Sequence, residues 1–233
     1  MAESSIAVFD LDGTLVDSAP DLVWVLNTVL TQEGCPPLAL ERIRPFVGQG
    51  GLLLLKHSLE AHGWDMAKTD LQGLYKRFLS LYAATIAQRS KTIAGVEEAL
   101  DSLKNMGWIL AVCTNKLTAH ARTLLSRLSL EHYFSAICGR DSVPICKPNP
   151  HHLIHTITVA QGNPKYAVMI GDSSVDIDTA RSAGIPVIAV SFGYSPDCLE
   201  LYKPDAFVHH FNEIPHAIKN LKLMDLNKSI KGG

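Results

Sequence analysis

Residues 7–20 read AVFDLDGTLVDSAP, an apolar run that ends in two aspartates, Asp10 and Asp12, one residue apart. Together with Ile6 the run is short and rich in β-branched and aromatic residues, as a buried strand is. Two carboxylates at its end repel, and neither is buried without a penalty. They mark either a solvated turn or a site that uses both. Residues i and i+2 share one side of a strand, so Asp10 and Asp12 are expected to face one cleft while Leu11 turns into the core. Gly13 permits a tight turn there.

The rest of the chain alternates only after a break. From about residue 20 to 87 no second strand-like run occurs. DLVWVLNTVLTQEG, with Asp21 near its start and Gly34 at its end, spaces its apolar residues as an amphipathic helix does. GLLLLKHSLEAHG and TDLQGLYKRFLSLYAATIA also read as helices, and RIRPFVGQGG between them as a glycine-rich turn. From residue 93 helix and strand alternate through GVEEALDSLKNMG, WILAVCT, LTAHARTLLSRLSL, FSAIC, NPHHLIHTITVAQG, YAVMIG, SSVDIDTARSAG, PVIAVS, AFVHH and NEIPHAIKNL. Such alternation predicts an α/β fold, a parallel sheet with helices on both faces. The helical block interrupts that sheet after its first strand.

Bulk composition narrows the classes. The chain has 233 residues, 47% of them hydrophobic, enough for a sizeable core. A formal net charge of −2 argues against a nucleic-acid partner, and an anionic substrate must be drawn by a local cation. Five cysteines, with no C-x-x-C pair, fit a reducing compartment better than a disulfide framework. No basic n-region precedes Asp10 and the longest aliphatic run is LLLL at 52–55, so we expect no signal peptide, no membrane partner and a cytoplasmic location.

In an open parallel sheet, ligands bind beyond the carboxyl ends of the strands. Asp10-Leu11-Asp12-Gly13-Thr14 follows the first strand, Thr114-Asn115-Lys116 follows WILAVC, Lys147-Pro148 follows FSAIC after a loop, and Gly171-Asp172-Ser173-Ser174 with Asp176 follows YAVMI. Each group alone has a plain alternative. D-x-D is a common solvated turn, Lys147 a surface residue, Thr114-Asn115 a helix cap, and Asp172 and Asp176 helix N-terminal acids. Their shared placement at one sheet edge favours a site. Close carboxylates there need a cation or a proton; an all-oxygen set suits Mg²⁺, and neighbouring carboxylates split their pKa values. Lys147, Thr114 and Asn115 would neutralise and position a phosphoryl group.

FDLDGTLVDS, CTNK, KPNP and GDSSVDI together resemble the four successive motifs of the haloacid dehalogenase-like hydrolase superfamily. The resemblance implies a Rossmann-like core with an all-helical cap inserted after the first motif. That organisation divides the chain into residues 1–16 (first strand and catalytic loop), a cap at 17–89, the rest of the core at 90–225, and a frayed tail at 226–233. It implies a phosphorylated nucleophile and Mg²⁺ ligand in Asp10, and a general acid/base in Asp12, whose main-chain carbonyl also ligates the metal. It further implies phosphoryl contacts from Thr114 and Asn115, a pairing of Lys147 with that group and with Asp10, metal binding by Asp172, and support from Asp176 outside the ligands. DGTLVDSAPDL and RPFVGQGG are most similar to the phosphoglycolate phosphatases, so the resemblance implies hydrolysis of 2-phosphoglycolate, a small phosphorylated metabolite, by a monomer or homodimer. SSVD departs from the SxND of related phosphatases but keeps both acids.

Alternatives are a phosphatase for another small phosphate or pyrophosphate, a sugar-phosphate mutase, or a non-catalytic protein on the same fold. Similar mutases carry a cap histidine where this chain has Leu22. Arg44, beside the glycine turn Gly48–Gly51, is expected to approach a substrate carboxylate; a solvated helix end is its alternative. His151 and His155 stand at i, i+4 spacing without a third zinc ligand in the sequence. Cys113 reads as core, Cys146 shows no activating pattern, and the SFGYS loop takes no assigned role. Asp17 marks the hinge into the helical block.

Overall fold

The alternating segments form a six-stranded parallel sheet, in the order β5-β4-β1-β6-β7-β8. The computed structural model describes residues 4–195 and 198–221; the tail expected to fray lies outside them. In chain order the strands are β1 (Ile6–Phe9), β2 (Val16–Asp17), β3 (Lys91–Thr92), β4 (Ile109–Cys113), β5 (Ala136–Cys138), β6 (Ala167–Gly171), β7 (Val187–Val190) and β8 (Ala206–Val208). The helices are α1 (Ala19–Gln32), α2 (Leu40–Ile43), α3 (Gly51–Glu60), α4 (Leu71–Thr85), α5 (Val96–Asn105), α6 (Thr118–Arg127), α7 (Pro150–Val159), α8 (Ser174–Ser182) and α9 (Ile214–Asn220).

β1 occupies the centre because it is apolar on both sides. It pairs with β4 and β6 in register, Phe9 opposite Val112 and Ile170. Ala7 and Phe9 join one buried cluster, while Ile6 and Val8 join the cluster on the other face. Covered on both faces, the strand has no polar position until Asp10. Ile6, Val8 and Phe9 each contribute about 1.5–3 kcal/mol from lost apolar surface.

The helical block at α1–α4 is an insertion between β2 and β3. These two short strands pair antiparallel, Val16 with Thr92 and Asp17 with Lys91, so the chain leaves and re-enters the sheet domain through one ribbon. The sequence reading did not foresee this ribbon, because two residues carry no period. Buried Asp21, in the first turn of α1, locks it: its carboxylate accepts the N–H groups of Arg89 (2.9 Å) and Ser90 (3.1 Å). The glycine-rich turn is partly helical, α2 running into a 3-10 turn at Arg44–Phe46. Among the described residues no helix is long and apolar enough to cross a membrane.

Candidate active site

β1, β4 and β6 lie side by side, so the loops after their carboxyl ends meet. Strand β1 ends at Phe9, and the alternation that would aim Asp10 and Asp12 alike ends with it. Leu11 does turn into the core, fully buried, but the two carboxylates part. Asp10 meets Lys147 (Oδ1–Nζ 2.9 Å), whereas Asp12 meets Lys116 (Oδ1–Nζ 3.0 Å) and accepts the Ser18 hydroxyl. Each acid has its own ammonium group.

Asp10, Asp172 and Asp176 form a buried cluster whose ligand-capable oxygens lie within 4.8 Å of one another. Lys147 reaches it with Nζ 2.6 Å from Asp176 Oδ1. Burial raises the pKa of Asp10 to about 7 against the pull of Lys147, with Asp176 and Asp12 adding to the rise. Burial, then Asp176 and Asp10, also push Asp172 well above the usual carboxylate range. Burial of Lys147 works against its charge, but Asp10 and Asp176 outweigh it and raise its pKa. Three carboxylates against one ammonium leave the cluster short of positive charge, and its oxygen donors suit a hard divalent cation.

Local sequence explains the placement. Gly13 has φ +82°, and a Cβ there would lie 2.3 Å from Asp172 Oδ2, so only glycine lets the β1 loop approach β6 so closely. Asp172 accepts from the Thr14 hydroxyl (3.2 Å) and the Tyr194 N–H (2.7 Å). Asp176 closes the first turn of α8, its Oδ2 accepting from the Ser173 N–H (3.2 Å) and hydroxyl (2.7 Å). Both Asp176 oxygens are therefore occupied by protein donors. On Asp10, Oδ1 accepts the Leu11 N–H (2.7 Å) besides Lys147; among the described residues no hydrogen bond reaches Oδ2.

Beyond Asp12, a cavity opens between the insertion and the sheet domain. Its walls include Leu22, Phe46 and Leu54 from the insertion and Asn115, Lys116 and His120 from the β4–α6 loop and α6. Gly50, with φ +100°, packs the glycine turn onto the Asn115 carbonyl, 3.5 Å from where its Cβ would stand. Lys116 Nζ lies 4.7 Å from the Tyr82 ring centroid. Burial disfavours its charge, but Asp12 and Tyr82 outweigh that and raise its pKa. Burial raises Tyr82 to about 12, while burial and Lys116 lower His120.

Of the other expected residues, Thr114 is buried, and its hydroxyl accepts the Lys116 N–H (3.2 Å). The Asn115 side-chain amide holds the Lys147 carbonyl (3.1 Å), tying the two loops together. Arg44 stands at the start of the 3-10 turn. It is exposed, is not among the residues lining the cavity, and sets its guanidinium 5.2 Å from the Tyr194 ring centroid. The 3-10 turn that begins at Arg44 turns Phe46 and Val47, two and three residues on, to the cavity instead. Asp17, the last residue of β2, accepts the Tyr194 hydroxyl (2.6 Å), which itself accepts the Ala19 N–H (3.0 Å). Cys113 is buried core as expected. His151 and His155 gain no third ligand: among the described residues the aspartate cluster is the one group of three.

Sequence reading missed Lys116, Tyr82, His120 and Tyr194. Lys116 stood in a quoted motif and at the right sheet edge, a signal that was present but unused. Tyr82 and Tyr194 reach the site only through tertiary packing.

Comparison with known proteins matches residues 7–190 to the family model described as haloacid dehalogenase-like hydrolase. The chain is 43% identical over 209 residues to a phosphoglycolate phosphatase of Caulobacter vibrioides, covering 90% of this chain and 88% of that one. It is 41% identical over 211 residues to a phosphoglycolate phosphatase of Mesorhizobium japonicum, covering 90% and 92%. A crystal structure of a predicted phosphoglycolate phosphatase from Haemophilus somnus superposes with a TM-score of 0.83 at 30% identity, covering 92% of this chain and 97% of that one.

Proposed function

Because the chain belongs to the haloacid dehalogenase-like hydrolase family, we propose that it is a Mg²⁺-dependent phosphatase that hydrolyses 2-phosphoglycolate to glycolate and phosphate. It is a phosphoric monoester hydrolase, as its relatives are. The observation that carries the mechanism is the position of Asp12, with the buried cluster of Asp10, Lys147, Asp172 and Asp176 on one side and the cavity on the other. A phosphoryl group fits the first place and its leaving alcohol the second.

Asp10, Asp172 and the Asp12 carbonyl would hold Mg²⁺, which supplies charge neutralisation for the phosphoryl oxygens. Asp10 attacks phosphorus through Oδ2 as the ester P–O bond breaks, and the Asp12 carboxyl gives its proton to the departing alcohol oxygen. Water then attacks the aspartyl phosphate, its proton passes to Asp12, and the Asp10–phosphorus bond breaks to release phosphate. Lys147 balances charge on Asp10 and on the phosphoryl oxygens, and Thr114 and Asn115 position them. Asp176 keeps Lys147 in place.

Residues 17–89 act as a cap that closes over the cavity and excludes water from the ester. Leu22 lines that cavity, where an aliphatic group offers no base to a second hydroxyl, so transfer to water is favoured over a mutase reaction. The setting is cytoplasmic.

The test is kcat/KM across 2-phosphoglycolate, sugar phosphates, nucleotides and pyrophosphate, with Asp10→Asn and EDTA as controls. We expect 2-phosphoglycolate to lead, Asp10→Asn to abolish turnover, and EDTA to do so reversibly. Full activity in either control removes the mechanism; a better substrate in the panel removes the assignment.

A further inference from the structure

Lys116 is buried, 8% exposed, at the wall of a cavity whose other lining is largely apolar. Among the lining residues it is the one side chain with a full positive charge; His120 beside it is held neutral. A buried ammonium is expensive; its one ion-pair partner among the described residues, Asp12, takes one of three N–H donors, and the Tyr82 ring lies 4.7 Å from Nζ. The Tyr82 hydroxyl is likewise buried, and its proton has no acceptor among the described residues. Buried hydroxyls almost always have a partner, so an orphan at a cavity wall points to a group that is bound there. Tyr82 comes from α4 in the insertion and Lys116 from the β4–α6 loop, so the two donors converge only when the insertion sits against the sheet domain.

We infer that Lys116 and the Tyr82 hydroxyl form the specificity site for a carboxylate on the leaving alcohol, one carbon away from the ester oxygen. This rests on the phosphatase reading above and names what selects its substrate. Lys116 touches Asp12, the group placed to protonate the ester oxygen, so its remaining donors lie within one short carbon chain of the bond that breaks. An anion satisfies both donors at once. A neutral or cationic alcohol would leave the ammonium half-satisfied. Discrimination of this kind is strong because the penalty falls on the site's own buried polar groups when the wrong substrate binds. The role expected of Arg44 therefore passes to a lysine of the sheet domain.

The experiment compares kcat/KM for 2-phosphoglycolate and for ethyl phosphate, which keeps the carbon chain but lacks the carboxylate, in the full-length protein with Mg²⁺. Wild type, Lys116→Met, Lys116→Arg and Tyr82→Phe are measured, with thermal melts to confirm folding. Lys116→Met slows both esters, since Asp12 loses its cation, so the ratio between them is what counts. We expect that ratio to fall about 30-fold in Lys116→Met, as loss of a charged hydrogen bond does, and about fivefold in Tyr82→Phe. Lys116→Arg keeps the charge and should retain most of the preference. If wild type prefers 2-phosphoglycolate but the ratio holds within threefold in both Lys116→Met and Tyr82→Phe, the inference is wrong and the phosphatase reading stands. If wild type shows no preference for the carboxylate-bearing ester, both fall. Should Lys116→Met not fold, Tyr82→Phe alone decides in the same way.

Discussion

Gly193, in a loop to which the sequence assigned no role, should be as intolerant of a side chain as the motif glycines. A Cβ at residue 193 would stand 2.1 Å from Asp172 Cβ, 2.3 Å from its Oδ2 and 2.5 Å from its Cγ. The next residue, Tyr194, gives its N–H to Asp172 Oδ2 at 2.7 Å, so the loop and the carboxylate are bound as well as packed. Relief of the clash to an ordinary contact of about 3.4 Å needs Asp172 and the loop to separate by about 1.3 Å. A misplacement of ~1 Å in a reacting constellation lowers rates by about 10²-fold. Overpacking itself costs about 1–3 kcal/mol, and a chain of this size loses about 2–4 °C of melting temperature per kcal/mol. Gly193→Ala should therefore fold, melt a few degrees lower, lose about 100-fold in kcat/KM for 2-phosphoglycolate, and need more Mg²⁺ for half-activation. Steady-state kinetics over a Mg²⁺ titration, with a thermal melt, measure all four. Activity within threefold of wild type at low Mg²⁺ would refute the claim that this loop fixes Asp172.

The other predictions probe the hinge, the acid limb of stability and Arg44. Asp21→Ala leaves the N–H groups of Arg89 and Ser90 without their buried acceptor, so we expect a loss of about 3–5 kcal/mol in chemical denaturation; a loss under 1 kcal/mol would mean the ribbon does not need this lock. His152 is fully buried, gives Nε2–H to the Cys138 carbonyl and accepts the Lys147 N–H at Nδ1, and burial with the nearby Lys147 charge lowers its pKa from 6.5 to about 4. The unfolded chain takes up this proton first as pH falls, so the contribution is complete above pH 6.5 and fades toward pH 4. The stability difference between wild type and His152→Gln should shift by roughly 3 kcal/mol in favour of the variant over that range, and a pH-independent difference would show that His152 is not held neutral. Arg44→Ala removes an exposed cation–π contact of about 0.5–1 kcal/mol; kcat/KM should stay within fivefold, and a hundredfold loss limited to carboxylate-bearing esters would return Arg44 to the substrate.

Much of the fold was legible because its signals are local. β1 shows itself as an apolar run that stops at Asp10, and α1, α3 and α4 show the helical period. The right-handed βα alternation after residue 93 leaves few ways to order a parallel sheet. The acids gathered at the strand ends and Lys147 were legible for a related reason. Each directly follows a strand or the loop after one, and parallel strands bring those points to one edge. The β2–β3 ribbon was not legible, since its pairing joins residues about 75 apart through a contact with no sequence period. Nor was the direction of Arg44, which depends on where the 3-10 turn begins.

The sequence by itself determined the sheet, the helical insertion, and the set of acids and lysine gathered at the strand ends, because backbone period and strand order act over a few residues. Which carboxylate pairs with which ammonium was decided only in three dimensions. β1 ends at Phe9, so Asp10 turns toward Lys147 and Asp12 toward Lys116. The two neighbouring acids of AVFDLDGTLVDSAP are kept apart by lysines 31 residues distant from each other, and only the packing of the insertion brings Tyr82 to the second of them. Charge separation and cavity shape are set by contacts between distant segments, and no local pattern encodes those.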